Sequence, residues 1–336
     1  MVSFMYRFLK LLPPETAHNV GLRLLRISPI RVNPANEIYR VKTSFGILDN
    51  PIGLAAGYDK SASYLEPLSR LRFGYIVAGT VTRKARRGKP KPRLVRRPSE
   101  MALVNAMGFP NPGLEKFVEN LSHAKTRCPV VASVADEDPE KLVECYTAVQ
   151  GHVSAVEVNV SSPNTPELRR YFQSEFFKEV VVSLYRVKQK PTFLKIPPST
   201  SADEVKLIAK VVGIWLDQGF EGVTAVNALL VDEPNVAVGR GGLSGRPLLP
   251  HMLECVRMLR NTFGEEFELH AVGGILTGHD VFKALEAGAN TVQIYTALAY
   301  RGPYVVRYIL EELAHIMKER GLTSINELNS SSTATS

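Results

Sequence analysis

The chain has 336 residues, 45% hydrophobic and 22% charged, the balance of a globular protein. That excludes a wholly disordered, collagen-like or disulfide-scaffold chain, and no run of about 18 apolar residues offers an integral membrane helix. The formal charge of +8 favours anionic ligands, nucleic acid or a lipid surface without choosing among them.

The N-terminal stretch to residue 31 holds five Lys/Arg and one acid. Arg7 and Lys10 interrupt its apolar run and no small-residue cleavage site follows, so it is a poor signal peptide. It reads as two short amphipathic helices broken at Pro13–Pro14, since proline is tolerated in a helix's first turn. Such a basic, apolar pair either lies in a membrane interface or packs on its own domain.

From about residue 50, short β-branched runs alternate with amphipathic stretches. The strands fall at Ile52–Ala56, Tyr75–Gly79, Val130–Ala135, Ala155–Val160, Thr192–Ile196, Gly222–Val226, Glu268–Val272 and Thr291–Tyr295. A helix is expected after each. Over Ala202–Leu216, Val205, Ile208, Val212 and Trp215 share a face, and Ser201 with Glu204 resembles a capping box. Over Gly278–Glu286, Thr277 is the N-cap and Val281, Ala284 and Leu285 face inward. Eight β-then-α units predict a (β/α)₈ TIM barrel, with a doubly wound sheet as the alternative. The expected division is an N-terminal extension over 1–40, the barrel over 41–322 and a polar tail over 323–336, the last dozen residues being given no structure. Cys128, Cys145 and Cys255 are widely spaced and odd in number, which suggests a reducing compartment and no structural metal.

Barrel active sites lie at the C-terminal ends of the strands. The polar residues there include Lys60, Thr80, Ser133, Asn159, Ser162, Asn164, Lys195, Asn227 and Tyr295. A set rich in Lys and Asn, without a His/Asp/Glu cluster, argues against metal hydrolysis or a carboxylate pair and suits a planar, amide-rich, anionic ligand. Gly273-Gly274 after strand seven, Tyr295-Thr296 after strand eight and Gly245 are candidate phosphate donors; each alone reads equally as a turn.

The segments Leu54-Ala-Ala-Gly-Tyr-Asp-Lys60, Gly79-Thr-Val-Thr82, Asn105-Ala-Met-Gly-Phe109, Asn159-Val-Ser-Ser-Pro-Asn-Thr-Pro166, Gly241-Gly-Leu-Ser-Gly-Arg-Pro247 and Val292-Gln-Ile-Tyr295 resemble dihydroorotate dehydrogenase in order and spacing, from about Tyr6 to Leu313. The resemblance implies an FMN barrel that oxidises dihydroorotate to orotate, the fourth step of pyrimidine synthesis. A base removes the C5 proton while C6 passes hydride to flavin N5. Ser162 matches the serine base of the membrane-associated, quinone-using class 2, where soluble class 1 members use Cys. Thr165 and Phe109 match the residues flanking its proton relay, and Lys60 approaches substrate and flavin. The implied flavin contacts are Ala56, Gly57, Lys60, Thr80, Ser133, Asn159, Lys195, Val226, Gly245, Gly274, Tyr295 and Thr296. Those to substrate are Lys60, Asn105, Gly108, Phe109, Asn159, Asn164 and Asn227. His18, Arg96 and Tyr295 match the lining of a quinone tunnel whose mouth is the N-terminal helix pair at the membrane. No mitochondrial presequence is visible, so a prokaryotic enzyme, peripheral on the cytoplasmic membrane face, is expected.

The chain departs from the family at Ser133, Val226 and Ala228, where side-chain hydrogen-bonding groups are usual, and the loop Asp136-Glu-Asp-Pro139 lacks the usual Lys-Asn. These losses keep open a soluble flavin-barrel relative with another acceptor or pyrimidine. Nine of the fifteen residues over 83–97 are basic, which leaves room for a nucleic-acid-binding protein on a flavin scaffold. Without interleaved aromatics, a solvated loop facing anionic lipid or guiding an anionic substrate is the preferred reading, and no nucleic-acid partner is expected.

Overall fold

A computed structural model describes residues 8–28 and 37–330. Eight runs of β-branched and small apolar residues form its central strands: Ile52–Leu54 (β1), Tyr75–Val81 (β2), Val130–Val134 (β3), Ala155–Asn159 (β4), Thr192–Ile196 (β5), Gly222–Ala225 (β6), Glu268–Val272 (β7) and Thr291–Ile294 (β8). Each pairs in parallel with its neighbour in chain order, and β8 closes on β1. The expected strands are all present, with ends within two residues of the sequence reading.

A closed parallel sheet is buried on both faces, and here it makes two cores. Outward side chains meet the helices in one continuous shell that includes Ile52, Ile76, Val156, Leu194 and Trp215. Inward ones form a floor cluster of Phe45, Leu48, Tyr75, Val77, Val131, Ala155 and Phe193. Phe45 and Leu48 belong to a hairpin, Val41–Thr43 with Gly46–Leu48, that the sequence reading did not anticipate.

Helix Ala202–Asp217 buries Ile208, Val211, Val212 and Trp215, and the Trp215 indole donates to Gly222 O at 2.9 Å. Its cap differs from expectation. Ser201 Oγ accepts the Glu204 N–H at 3.3 Å, but the Glu204 carboxylate accepts from Thr200 N–H at 2.7 Å, which places the return bond one residue upstream. Helix Gly278–Glu286 does carry a reciprocal capping box, between Thr277 and Asp280.

Two excursions from the barrel meet above the strands' C-terminal ends. Leu94–Arg97 and Ala102–Asn105, after β2, pair antiparallel with each other; Leu229–Asp232 and Arg240–Gly245, after β6, complete a four-stranded sheet. The sequence reading gave this cap no strands.

The N-terminal helix (α1) spans Pro14–Ile27 with Pro13 as its N-cap, so the chain breaks where the paired prolines predicted. Ala17 and Leu22 are buried, and Arg70 donates to Leu25 O and Ser28 O at the helix's end. Much of the preceding predicted helix, residues 1–7, lies outside the described residues. No helix among the described residues is long and apolar enough to cross a membrane.

The polar-tail expectation needs correction from residue 323 to 330. Asn326–Ser330 is helical, Ile325 and Leu328 are buried, and the Ile325 N–H donates to Ile38 O at 3.0 Å. Two apolar side chains three residues apart are enough to dock a short helix on the barrel shell. Residues 331–336 lie outside the described residues.

Candidate active site

The strand ends and the cap sheet together line an open cleft. Of the expected residues, Ala56, Gly57, Lys60, Thr80, Asn105, Gly108, Phe109, Asn159, Ser162, Asn164, Lys195, Val226, Asn227, Gly245, Gly274, Tyr295 and Thr296 line it. Ser133 and Thr165 do not. Ser133 is fully buried behind Thr80, its hydroxyl 2.9 Å from the Thr80 hydroxyl. Thr165 is buried beside Ser162, its N–H donating to Ser162 O at 3.3 Å.

The asparagines form a linked set. Asn159 donates to Thr80 Oγ1 at 3.1 Å, and Asn227 donates to Asn159 Oδ1 at 3.2 Å and to Ser161 Oγ at 3.1 Å. Across the cleft, Asn164 donates to Asn105 Oδ1 at 3.1 Å while Asn105 donates to Gly242 O at 3.2 Å. Such mutual bonds fix the amide planes before a ligand arrives, which is what recognition of a flat amide requires. Ser162 Oγ accepts the Asn164 N–H at a long 3.4 Å. Phe109, at φ +55°, follows Gly108 at φ +67°, a sharp turn that brings this loop to the cleft.

Lys60 Nζ donates to Gly57 O at 2.5 Å. Burial drives its pKa down to about 8 against the pull of Asp59, whose carboxylate is committed to the N–H groups of Ser61, Ser63 and Tyr64.

At the other end of the cleft the turns carry no side chains. Gly245 (φ +96°) and Gly274 (φ +77°) adopt backbone conformations that favour glycine. A β-carbon at Gly274 would stand 2.4 Å from Leu249 N, and one at Gly245 would stand 2.3 Å from Met101 O. Ser244 Oγ lies 3.0 Å from Thr296 Oγ1.

A second cavity opens between α1 and the cap sheet, and it gathers His18, Arg96 and Tyr295 among Ala17, Leu24, Leu25 and Leu298. It shares Leu94, Leu103 and Tyr295 with the first. The rings of His18 and Tyr58 meet edge-on at 4.8 Å, and those of Tyr58 and Tyr295 at 5.3 Å. Burial and the Lys60 charge press the His18 pKa to about 3, so the imidazole is neutral. Burial pushes Tyr295 up to about 12. Arg96 spends part of its guanidinium on Leu12 O at 2.7 Å and Lys10 O at 3.1 Å, tying the segment before α1 to the cap sheet.

The basic stretch over 83–97 is less free than its composition suggests. Arg83 pairs with Glu115 and Glu144, Arg86 with Glu137, Arg93 with Glu15 at 2.7 Å, and Arg97 with Glu233 at 2.9 Å. The departing acidic loop, Asp136 to Asp138, therefore serves to dock this stretch: Glu137 holds Arg86, and Asp136 accepts the Arg83 N–H at 3.1 Å.

Tyr58, Gln293 and Glu157 were missed in the sequence. Strand alternation was the available signal, since Gln293 lies two residues before Tyr295 and Glu157 two before Asn159. Gln293 lines the cleft with a buried Oε1 that has no hydrogen-bond partner among the described residues.

The family model for dihydroorotate dehydrogenase matches residues 41–317. The chain belongs to the dihydroorotate dehydrogenase family. A dihydroorotate dehydrogenase (quinone) of Coxiella burnetii is 36% identical over 92% of this chain and 96% of its own length. Enzymes of the same description from Acinetobacter baumannii and Legionella pneumophila are 34% and 32% identical, covering 90% and 93% of this chain and 96% and 99% of their own. The crystal structure of DHODH from Eimeria tenella in complex with ferulenol superposes with a TM-score of 0.85 at 26% identity, over 94% of each chain. Dihydroorotate dehydrogenases are flavin-dependent. The side-chain-free turns at Gly245 and Gly274 and the unpartnered Gln293 oxygen fit a planar, hydrogen-bonding group that carries a phosphate.

Proposed function

We propose that this chain is a class 2-type dihydroorotate dehydrogenase, which oxidises dihydroorotate to orotate in pyrimidine synthesis with FMN as its flavin and passes the electrons to a membrane quinone. The meeting of a polar cleft and an apolar cavity at Tyr295 carries this reading, because it gives substrate and lipophilic acceptor separate access to one buried group.

Gly245, Gly274, Tyr295 and Thr296 would hold the phosphate end of FMN. Thr80, Asn159, Lys195 and Gln293 would meet its ring, with Ser133 acting through Thr80. Ala56, Gly57 and Val226 would add backbone and surface. Bound FMN supplies a hydride acceptor. Lys60 would hold the substrate carboxylate with its ammonium, and Asn105, Asn164, Asn227, Asn159 and the Gly108–Phe109 turn would fix the amide edges. Ser162 Oγ would take the C5 proton. A free serine hydroxyl is too weak a base for this alone, so Thr165 and Phe109 would shape the path by which the proton leaves. Lys195 would stabilise negative charge on the ring.

His18, Arg96 and Tyr295 would line the quinone site. The extension over 1–40 would be its membrane-facing element and 41–322 the catalytic barrel, with the protein peripheral on the cytoplasmic face. Exposed Phe8, Leu11 and Ile27 beside this cavity support that placement.

The test is acceptor dependence. Purified protein given dihydroorotate is expected to reduce a short-chain quinone and to leave fumarate and NAD unreduced. Turnover with either of those and none with quinone would favour the soluble relative, and salt-sensitive nucleic-acid binding without bound flavin would favour the binding protein.

A further inference from the structure

The barrel interior holds a charged pair, Lys195 and Glu157, of which the proposed reaction uses only Lys195. Alternation along β4 puts Glu157 on the same face as Asn159, one layer deeper, and the register sets Asn159 opposite Lys195 and Glu157 opposite Phe193. Lys195 Nζ stands 3.4 Å from a Glu157 oxygen, with the two side chains only 6% and 1% exposed. The second carboxylate oxygen is buried and has no hydrogen-bond partner among the described residues. Phe193 of the floor cluster stands opposite Glu157 in the register, and Tyr75 of the same cluster feels its charge. For stability alone this is a poor arrangement, because apolar residues of similar volume fill such a space at lower desolvation cost. Lys195 reaches the cleft wall and Glu157 does not.

We propose that Glu157 is a positioning residue that holds the Lys195 ammonium at the flavin face and partly cancels its charge, which makes the bound flavin harder to reduce and a better donor to the acceptor. The inference rests on the reading that Lys195 faces the flavin ring. An ammonium beside the ring favours its reduced, anionic form; a carboxylate behind the ammonium subtracts from that preference. In a barrel interior, removal of one such charge changes an equilibrium by roughly tenfold or more.

The test uses FMN-loaded enzyme and two readouts besides turnover. One is the flavin midpoint potential. The other is affinity for sulfite, which bonds to the oxidised ring and leaves it anionic. Glu157→Gln is expected to raise the potential and tighten sulfite binding about tenfold, while Glu157→Asp keeps the charge and stays near the parent protein. If the buried amide prevents folding, Glu157→Leu carries the same test in a side chain suited to the interior. Unchanged or lowered values in the neutral variant, or equal shifts in Gln and Asp variants, overturn the proposal. A parent enzyme that binds FMN and sulfite yet is not bleached by dihydroorotate overturns the functional reading instead and leaves this comparison intact.

Discussion

Ser162 lines the cleft, and among the described residues its hydroxyl has no acceptor, only a 3.4 Å contact from the Asn164 N–H. Its role therefore shows in rate and not in binding. Ser162→Ala is expected to retain FMN and to slow flavin reduction by dihydroorotate about 10²–10⁴-fold in stopped-flow traces; an unchanged rate would contradict the assignment. Lys60 gives a pH signature. Burial lowers its pKa to about 8, so the free enzyme carries the ammonium below that pH and loses it as pH rises through it. The KM for anionic dihydroorotate is expected to be flat below pH ~8 and to climb above it, an inflection that Lys60→Met abolishes. His18, already neutral, predicts the opposite kind of result. His18→Ala should raise the quinone KM without a new pH dependence near neutrality, and should leave the dihydroorotate half-reaction intact. The departures at Val226 and Ala228 have a plain structural reading only in part. Val226 is buried apolar surface, and the Ala228 N–H donates to Asn227 Oδ1, so Asn227 is oriented without a neighbouring hydroxyl.

The elements divide by how far their stabilisation is local. The barrel strands and helices such as Gly278–Glu286 were legible because burial on both faces leaves unbroken β-branched runs, and caps are written in adjacent residues such as Thr277 and Asp280. The cap sheet was not legible. Its strands pair across more than a hundred residues, as Leu103 with Ser244, and Arg96, Arg97 and three glycines obscure the usual alternation. The terminal helix was hidden by polar composition, since only Ile325 and Leu328 betray it. Likewise Glu157 and Gln293 were overlooked inside strands that otherwise read as apolar. For the site, residue types at the strand ends could be read directly, whereas the roles came through the family resemblance and the hydrogen-bond partners only through the fold. The N-terminal element yields its own prediction. Deletion of residues 1–31 should abolish quinone turnover and spare flavin reduction by dihydroorotate; loss of both would make α1 purely structural. It also removes Glu15 from Arg93, a contact of charged groups worth about 1.5–3 kcal/mol, so a lowered Tm should accompany it.

At the scale of the molecule, two cavities share Tyr295, and the acceptor side opens toward α1, with exposed Ile27 at its end and exposed Phe8 and Leu11 in the segment before it. Lys10, Arg23 and Arg26 lie in the same segment, so anionic lipid vesicles should co-sediment the full chain and release it in high salt. Vesicle binding that survives deletion of residues 1–31 would place the membrane face elsewhere. Of the nine basic residues over 83–97, Arg83, Arg86, Arg93 and Arg97 are held in ion pairs by Glu115, Glu144, Glu137, Glu15 and Glu233. The central claim is that one buried flavin serves both cavities in turn. Its most direct test is an anaerobic visible spectrum of the purified protein during addition of dihydroorotate and then of a short-chain quinone. The account predicts bleaching of a flavin band near ~450 nm with the first addition and its return with the second. A flavin band that dihydroorotate leaves unchanged, or that quinone cannot restore, would contradict it.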